Sequence, residues 1–282
     1  MLILAAAAVA SAPRVAILVK HAPMTCGTAG SFETVQCNLG VYASAIALAA
    51  NHSAELLVLP EAYGLAHSPS KTGYWEALFL SNATTACESA NTSTMPVQKT
   101  LSCLARAHGI AIAYNLFATR GGEKRITEVV VDAAGGLRAT YDKVHLFPIT
   151  EAAAGATAGT NAPTSFDLLG RRWGIIICYE GVWPHVPGGN YAQMDALKAQ
   201  NATSWIWSIG GMVPINALAK GYAKKYGVDL AATQDASVAG EGHLICGGTA
   251  ATDCPATDVM LAPTSLPSGY SGAPFVRIAA LA

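Results

Sequence analysis

Three polar side chains follow apolar strands at points where catalytic groups often lie. Glu61 follows LLVLP, Lys143 follows LRATYD, and Cys178 follows the triple isoleucine of WGIII. Loops beyond strand ends present side chains from a rigid base, and α/β domains gather their active groups there. A thiol, a carboxylate base and an ammonium could together perform acyl transfer through a covalent intermediate.

Each of these residues also has an ordinary structural explanation. A glutamate at a strand end is commonly a solvated loop carboxylate, a lysine there is commonly a surface charge, and a buried cysteine is commonly inert packing. If the three meet, the carboxylate is the base for the thiol. The ammonium would then stabilise an oxyanion and lower the pKa of the thiol. Spacing along the chain alone does not show that they meet.

Several common catalytic motifs are missing from the sequence. There is no G-x-S-x-G elbow, no H-E-x-x-H helix and no G-x-x-x-x-G-K-[ST] phosphate loop. No cysteine–histidine spacing is typical of a zinc site. We therefore expect that the chemistry needs no metal and no organic cofactor.

The composition is that of a globular protein. The 282 residues are 52% hydrophobic and 12% charged, with a formal net charge of −1. Nucleic acid binding requires a basic face, so we exclude a nucleic acid partner and expect a small molecule instead. No Pro/Ser-rich linker divides the chain. Residues 13–282 are predicted to form one domain, whose end at 245–282 is loop-rich with one or two short strands after Gly240.

The first residues have features of a secretion signal. Residues 2–10 form an apolar run, and residues 10–12 have the small-x-small form of a cleavage site. We predict a signal peptide at 1–12, although no Lys or Arg precedes the run. The alternative is that the run extends the first strand. It is too short to span a bilayer, and no transmembrane segment is expected.

Seven cysteines suggest disulfide pairs plus one free thiol. Three pairs are close in sequence and leave Cys178 alone in an apolar strand: Cys26 with Cys37, Cys87 with Cys103, and Cys246 with Cys254. Four glycosylation sequons begin at Asn51, Asn82, Asn91 and Asn201. Both features favour an oxidising compartment, so we predict a secreted glycoprotein. A cytosolic chain with reduced thiols and chance sequons is the alternative.

Alternating apolar runs predict a layered α/β domain. Strands are predicted at residues 14–19, 56–59, 110–117, 173–178, 204–209 and 230–233, and helices at 38–51, 96–108, 191–200 and 215–226. Residues 126–131 and 137–141 are predicted to form a hairpin around the turn at 133–136. Because the buried strands are continuous apolar runs, helices must cover the sheets on at least one face.

The segments around the three polar residues resemble the signatures of the nitrilase or carbon–nitrogen hydrolase superfamily. These signatures are PEAYG with Glu61, YDKVHLF with Lys143 and GIIICYE with Cys178, in that order. Longer segments resemble its vanin/biotinidase branch, the pantetheine hydrolases, and lie at 20–23, 38–64, 95–115, 129–147 and 203–234. The resemblance covers most of residues 14–248.

This resemblance implies a four-layer α-β-β-α sandwich of the nitrilase type and a Glu-Lys-Cys triad. Cys178 would be the nucleophile, Glu61 the general base and acid, and Lys143 the oxyanion donor. Glu151, in FPITEAAAG, is the candidate for a second glutamate that usually follows the lysine in this superfamily. It would hold Lys143 and help orient the attacking water.

The turn after the apolar strand is expected to leave the thiol of Cys178 exposed. The backbone N–H of Tyr179 would then be a second donor to the oxyanion. Glu180 is interpreted as a structural carboxylate bonded to nearby backbone.

The resemblance implies hydrolysis of a linear amide C–N bond through a cysteine thioester, and pantetheine, cleaved to pantothenate and cysteamine, is the expected substrate. The chain departs from the branch at Ala62 and Glu180, where the branch has aspartate, and at residues 240–244. It also stops without the branch's C-terminal β-rich domain. Another amide such as a biotinamide, a nitrile, or an inactive secreted binding protein remain alternatives, and a homodimer is left open.

Overall fold

The computed structural model of this chain describes residues 12–21, 32–61, 65, 74–160, 162–211, 214–236, 242–247, 251–268, 270 and 273–281. Of the signal peptide predicted at 1–12, only Ala12 is among these residues. The cysteine at position 26 lies outside them. Among the helices that are described, none is both long enough and apolar enough to cross a membrane.

Two β-sheets form the centre of the fold. The first contains β1 (Arg14–His21), β2 (Leu56–Val58), β3 (Glu76–Ala77), β4 (Ala111–Arg120), β5 (Glu123–Val131), β6 (Leu137–Asp142), β13 (Ala256–Met260) and β14 (Phe275–Ala280). The second contains β7 (Ser165–Leu168), β8 (Arg171–Ile177), β9 (Ser204–Ile209), β10 (Asp229–Ala236), β11 (His243–Cys246) and β12 (Thr252–Asp253).

Helices cover the outer faces of the two sheets. The described helices are α1 (Phe32–Asn51), α2 (Ala86–Ser89), α3 (Pro96–His108), α4 (Ala192–Ala199) and α5 (Asn216–Tyr226). Helix α1 packs on α3 and β14, and α5 packs on β10 and β11, while β4 meets β9 and β2 meets β10 between the sheets. The predicted four-layer α-β-β-α sandwich is thereby confirmed.

Strand direction brings the ends of several strands to one edge. In the first sheet β1, β2 and β4 are parallel, and in the second β8, β9 and β10 are parallel. Strand β6 is antiparallel to β5, which is antiparallel to β4, so β6 runs in the direction of β4. At this edge the backbones of β1 and β10 also pair with each other, at Lys20 and Asp235. The segments after β2, β6 and β8 therefore emerge close together.

Local sequence signals explain the elements that were predicted best. Helix α3 begins at Pro96, whose fixed φ suits a first helical position, and its C-cap is Gly109 with a left-handed φ of 64°. Its buried positions Val97, Leu101 and Ala105 lie on one face. The bounds 96–108 and those of β9 at 204–209 are confirmed. The hairpin of β5 and β6 is also confirmed.

The prediction of a loop-rich end with one or two short strands was wrong. Four strands, β11 to β14, follow Gly242, and β14 pairs with β1 over six residues in the middle of the first sheet. The stretch FVRIAA is short and follows a turn-rich segment, so its own pattern is weak. Burial against β1 compensates for that weakness, because pairing satisfies the backbone groups of both strands.

The disulfide predictions are confirmed where the structure describes both partners. Cys87 is bonded to Cys103 and Cys246 to Cys254. Cys37 is also disulfide-bonded, and its predicted partner lies outside the described residues. Cys178 is buried and is not in a disulfide, as its position in an apolar run predicted.

Candidate active site

A buried ammonium lies between two buried carboxylates at the carboxyl edge of the first sheet. Lys143 Nζ is 2.7 Å from Glu61 Oε1 and 2.6 Å from Glu151 Oε1. Burial by itself lowers the pKa of Lys143, but the charges of Glu61, Cys178 and Glu151 outweigh it and hold that pKa well above its usual value. The lysine is therefore a fixed positive charge in a low-dielectric site.

Glu151 is held by a short π-helix that begins five residues after Lys143. This helix spans Pro148–Ala152, and it turns the carboxylate back towards the strand end. Glu151 Oε2 accepts the backbone N–H of Phe147 at 2.7 Å, while Oε1 accepts from Lys143. Burial and the charge of Glu61 raise the pKa of Glu151 to about 7, although Lys143 opposes the shift.

Glu61 follows Pro60, directly beyond β2, and its side chain is fully buried. One oxygen, Oε1, is bonded to Lys143. The other, Oε2, has no hydrogen-bond partner among the residues that the structure describes. A buried carboxylate with one anchored and one unbonded oxygen is able to accept a proton from a neighbouring group.

Cys178 stands at the junction between β8 and a short 3-10 helix. Strand β8 ends at Ile177, one residue earlier than predicted, and Cys178 opens the helix Cys178–Gly181 with a φ of 43°. A non-glycine residue in this left-handed region is strained and is often found at functional sites. The thiol is close enough to Glu61 and Lys143 for their charges to act on its pKa.

The expected exposure of the thiol was wrong, because Cys178 is only 5% exposed. The ammonium of Lys143 does lower the pKa of the thiol, as expected, but its effect is outweighed. Burial, followed by the charge of Glu61, raises the pKa of Cys178 well above its usual value, although Lys143 and a hydrogen bond from the Gly210 N–H lower it. The resting group is thus a neutral thiol, which requires a base for activation.

Glu180 ties the cysteine turn to the lysine loop. It accepts backbone N–H groups of Ile177 at 2.8 Å and Val144 at 2.7 Å, together with the hydroxyl of Tyr141 and the amide of Gln193. This confirms its interpretation as a structural carboxylate bonded to nearby backbone. Because Ile177 precedes Cys178 and Val144 follows Lys143, one side chain fixes the distance between the two strand ends.

Aromatic side chains hold the cysteine turn from both sides. The indole N–H of Trp207 donates to the Cys178 carbonyl oxygen at 3.0 Å, and the hydroxyl of Tyr222 donates to the Gly181 carbonyl oxygen at 2.5 Å. The ring of Tyr179 packs edge-on against Phe147 at 5.4 Å between centroids. The backbone N–H of Tyr179 directly follows the thiol, and its role as an oxyanion donor stays a prediction.

Sequence reasoning missed a second buried polar group beside this site. Glu128, in the middle of β5, is hydrogen-bonded to Asn115 on β4 and to Ser208 on β9. The available signal was the carboxylate at the centre of the apolar strand ITEVVV. Among the described residues no group of three or more His, Cys, Asp or Glu side chains is arranged to hold a metal ion.

Comparison with known proteins identifies a family from the sequence and similar folds among solved structures. The sequence model of the carbon–nitrogen hydrolase family matches residues 24–200. A search of curated proteins found no match. An amidase from Nesterenkonia sp. is similar in structure, with a TM-score of 0.63 and 22% identity over 96% of this chain and 91% of the amidase.

Variants of that amidase from Nesterenkonia sp. AN1 are similar to the same extent. One was solved in complex with butyramide, with a TM-score of 0.64 and 22% identity over 96% of this chain and 92% of the other. A second carries the acetamide moiety of fluoroacetamide on its active-site cysteine, with a TM-score of 0.64 and 22% identity over 97% and 91%. Since the family match spans more than half of the chain, this protein belongs to the carbon–nitrogen hydrolase family.

Proposed function

We propose that the protein is a thiol-dependent amidase that hydrolyses a linear amide through a cysteine thioester. Cys178 is the nucleophile, Glu61 the general base and acid, and Lys143 the oxyanion donor. The observation that carries this proposal is the buried Glu61–Lys143–Glu151 chain, with contacts of 2.7 and 2.6 Å, together with a buried cysteine that is not in a disulfide and on whose pKa these charges act. Few structural roles require an ammonium to be buried between two carboxylates in this way.

The first half-reaction forms the thioester. Glu61 Oε2 takes the proton of the Cys178 thiol as the sulfur attacks the amide carbonyl carbon. The carbonyl oxygen becomes an oxyanion, which the ammonium of Lys143 and the N–H of Tyr179 stabilise. Glu61 then gives its proton to the leaving nitrogen, the C–N bond breaks, and the free amine departs.

The second half-reaction releases the acid. Glu61, again ionised, takes a proton from water as the water oxygen attacks the thioester carbonyl. The C–S bond then breaks, and the proton returns from Glu61 to the Cys178 sulfur. Glu151 contributes by holding Lys143 in place and by helping to orient the water, since its two oxygens are bonded to Lys143 and to the Phe147 N–H.

A neutral resting thiol suits this mechanism. The raised pKa of Cys178 keeps the sulfur protonated until Glu61 removes the proton during attack. The site is therefore protected from alkylation and oxidation while it is empty of substrate, because the thiolate is the reactive form. The reaction depends on the base rather than on a preformed thiolate.

For the substrate we propose pantetheine, on the strength of the resemblance to the vanin/biotinidase branch. The similar amidase was solved with butyramide and with a fluoroacetamide-derived group, so small aliphatic amides belong in the same test. A biotinamide-like amide or a nitrile would use the same three residues. An inactive binding protein that keeps the fold is the alternative from a different class.

A substrate panel separates these alternatives. Purified protein is incubated with pantetheine, biotinamide, butyramide and an aliphatic nitrile, and released cysteamine (as its primary amine) and ammonia are measured, with Cys178→Ala as the control. We expect cysteamine release from pantetheine by the wild type only. Acid quench and intact-mass measurement should show a pantothenoyl adduct on Cys178. Turnover of another member of the panel would reassign the substrate, and turnover of none would favour the binding protein.

We also propose that the protein enters the secretory pathway. All four sequon asparagines, at positions 51, 82, 91 and 201, are exposed in the structure, and five of the described cysteines are disulfide-bonded. Expression in a eukaryotic secretory host should give a heterogeneous mass that glycosidase treatment reduces. A single unmodified mass in the medium would contradict glycosylation.

A further inference from the structure

Glu128 connects the two sheets immediately beside the proposed catalytic groups. It lies on β5 opposite Asn115 of β4, and Asn115 Nδ2 donates to Glu128 Oε2 at 3.1 Å. Its other oxygen, Oε1, lies 2.9 Å from the hydroxyl oxygen of Ser208, which belongs to β9 in the second sheet. The side chain is fully buried. A carboxyl group thus spans the space between the sheets.

This bridge ends next to the strand that carries the nucleophile. Ser208 is directly opposite Ile177 in the pairing of β8 with β9. Ile177 precedes Cys178 in the chain. From its other side, Glu128 is close enough to Glu61 for the two carboxyl charges to interact. The carboxyl group is therefore bonded to the strand that pairs with the nucleophile's strand, and it lies within electrostatic range of the proposed base.

The surroundings provide no countercharge for Glu128 in its direct contacts. Lys143 contacts Glu61 and Glu151, and Glu180 accepts several backbone N–H groups. Within the described part of the chain, Glu128 is bonded to a neutral amide and a neutral hydroxyl. Burying a charge without a charged partner costs far more than burying a hydrogen-bonded neutral acid. Burial accordingly raises the pKa of Glu128 to about 8.

Among the described residues, the titratable groups that interact with Glu128 are acidic. They are Glu61 after β2, Glu180 after β8, Tyr114 on β4 and Tyr42 on α1. The charges of Glu61 and Glu180 raise the pKa of Glu128, and the charge of Glu128 in turn raises the pKa of both tyrosines. Each of these interactions favours the proton on Glu128.

We propose that Glu128 is a positioning residue that works as a neutral carboxylic acid, and that its ionisation at alkaline pH lowers activity by disturbing the bridge between the sheets. In the neutral form Oε1–H donates to Ser208 Oγ and Oε2 accepts from Asn115. When the proton leaves to solvent, the Ser208 hydroxyl reverses and donates to Oε1. The bridge then carries a buried negative charge that its amide and hydroxyl partners do not balance, and this destabilises the strand contacts that position Cys178. This inference rests on the proposed hydrolytic function.

The first test compares pH profiles of kcat/KM for the wild type and Glu128→Gln. Glutamine is neutral at every pH and can repeat both bonds, with its Nε2 donating to Ser208 and its Oε1 accepting from Asn115. We expect a wild-type alkaline limb near the raised pKa of Glu128, about 8. In the variant, kcat at about pH 6 should fall only a few-fold, while the limb moves up by about one pH unit or more. An unmoved limb overturns the proposal.

Ser208→Ala is the second variant. It removes a hydroxyl that favours ionised Glu128, so the proton is held more tightly and the alkaline limb should also move to higher pH. A limb that moves to lower pH overturns the proposal. If Glu128→Gln does not fold, Ser208→Ala still tests the proposal.

Infrared spectroscopy tests the protonation state without any turnover. At acidic pH the wild type should show a protonated-carboxyl stretch that Glu128→Gln lacks, and this band should disappear with a midpoint near 8. If the band is absent at acidic pH, the proposal fails even for an active enzyme. If the wild type hydrolyses no amide but shows the band, the proposed function fails while the neutral state of Glu128 stands.

Discussion

The indole N–H of Trp207 donates to the carbonyl oxygen of Cys178 at 3.0 Å. This bond fixes the backbone of a residue that has a strained, left-handed φ of 43°. Trp207 lies on β9 and is fully buried, so the hydrogen bond transmits the rigidity of the second sheet to the thiol.

Trp207→Phe should lower both activity and stability. The variant leaves the Cys178 carbonyl oxygen buried without its donor, which costs about 1–3 kcal/mol, and we expect at least a tenfold loss of kcat/KM as the turn relaxes. Trp205→Phe is the matched control, because Trp205 lies on the same strand and its buried indole N–H has no partner among the described residues. Equal losses of kcat/KM in the two variants would contradict a specific role for the Trp207 bond. Urea unfolding and initial rates provide the measurements.

Glu61→Gln should abolish turnover and yet speed chemical labelling of Cys178. Loss of the base should lower kcat by about 10²- to 10⁴-fold. The charge of Glu61 raises the thiol pKa, so its removal lowers that pKa and increases the thiolate fraction at a given alkaline pH. Iodoacetamide alkylation rates against pH, with Cys178→Ala as background, measure the shift. If the alkylation rate of Glu61→Gln rose at higher pH than that of the wild type, the expected fall in the thiol pKa would be contradicted.

Glu180→Gln should be strongly destabilising although it changes only one atom. Both carboxylate oxygens accept hydrogen bonds, from the N–H of Val144 and of Ile177 among others. A glutamine must turn an NH2 group towards one of these donors, so we expect a loss of about 3 kcal/mol or more. Glu123→Gln, at the exposed start of β5, should change the free energy of unfolding by less than about 1 kcal/mol. Similar losses in both would contradict the tie between the two strand ends.

Gly181→Ala should disturb the cysteine turn by overpacking. A Cβ at Gly181 would lie 2.1 Å from a ring carbon of Trp207, and shifting a buried indole costs about 1–3 kcal/mol. Gly221→Ala in α5 meets nothing within 4 Å and should stabilise the protein by about 0.5–1 kcal/mol. Thermal unfolding should therefore move in opposite directions for the two variants. A Gly181→Ala protein as stable and active as the wild type would refute the close packing.

Features that depend on neighbouring residues were predictable from the sequence. Pro96 and Gly109 mark the ends of α3 because their backbone preferences act locally. The turn residues at 133–136, between β5 and β6, also act locally, and they made the hairpin predictable. The meeting of Glu61, Lys143 and Cys178 was expected through family resemblance. Strand direction then supplies the physical reason, since all three follow strands that end at one edge.

Features that depend on distant contacts were not predictable in this way. The bond between Glu128 and Ser208 joins residues 80 positions apart on different sheets, and nothing in either strand specifies the other. The burial of Cys178 depends on how the two sheets pack, so the expectation of an exposed thiol was wrong. The position of β14 depends on β1, which is far away in the chain.

The placement of β14 has a consequence for how the protein is made. Strand β1 receives β2 as a neighbour after a short stretch of synthesis, but its other neighbour, at Phe275–Ala280, leaves the ribosome much later. At usual translation rates of about 5–20 residues per second, the nascent chain carries an unpaired apolar β1 edge for more than about ten seconds. Chaperones that cover exposed strand edges during translation should therefore determine the yield of this protein more than its final stability does.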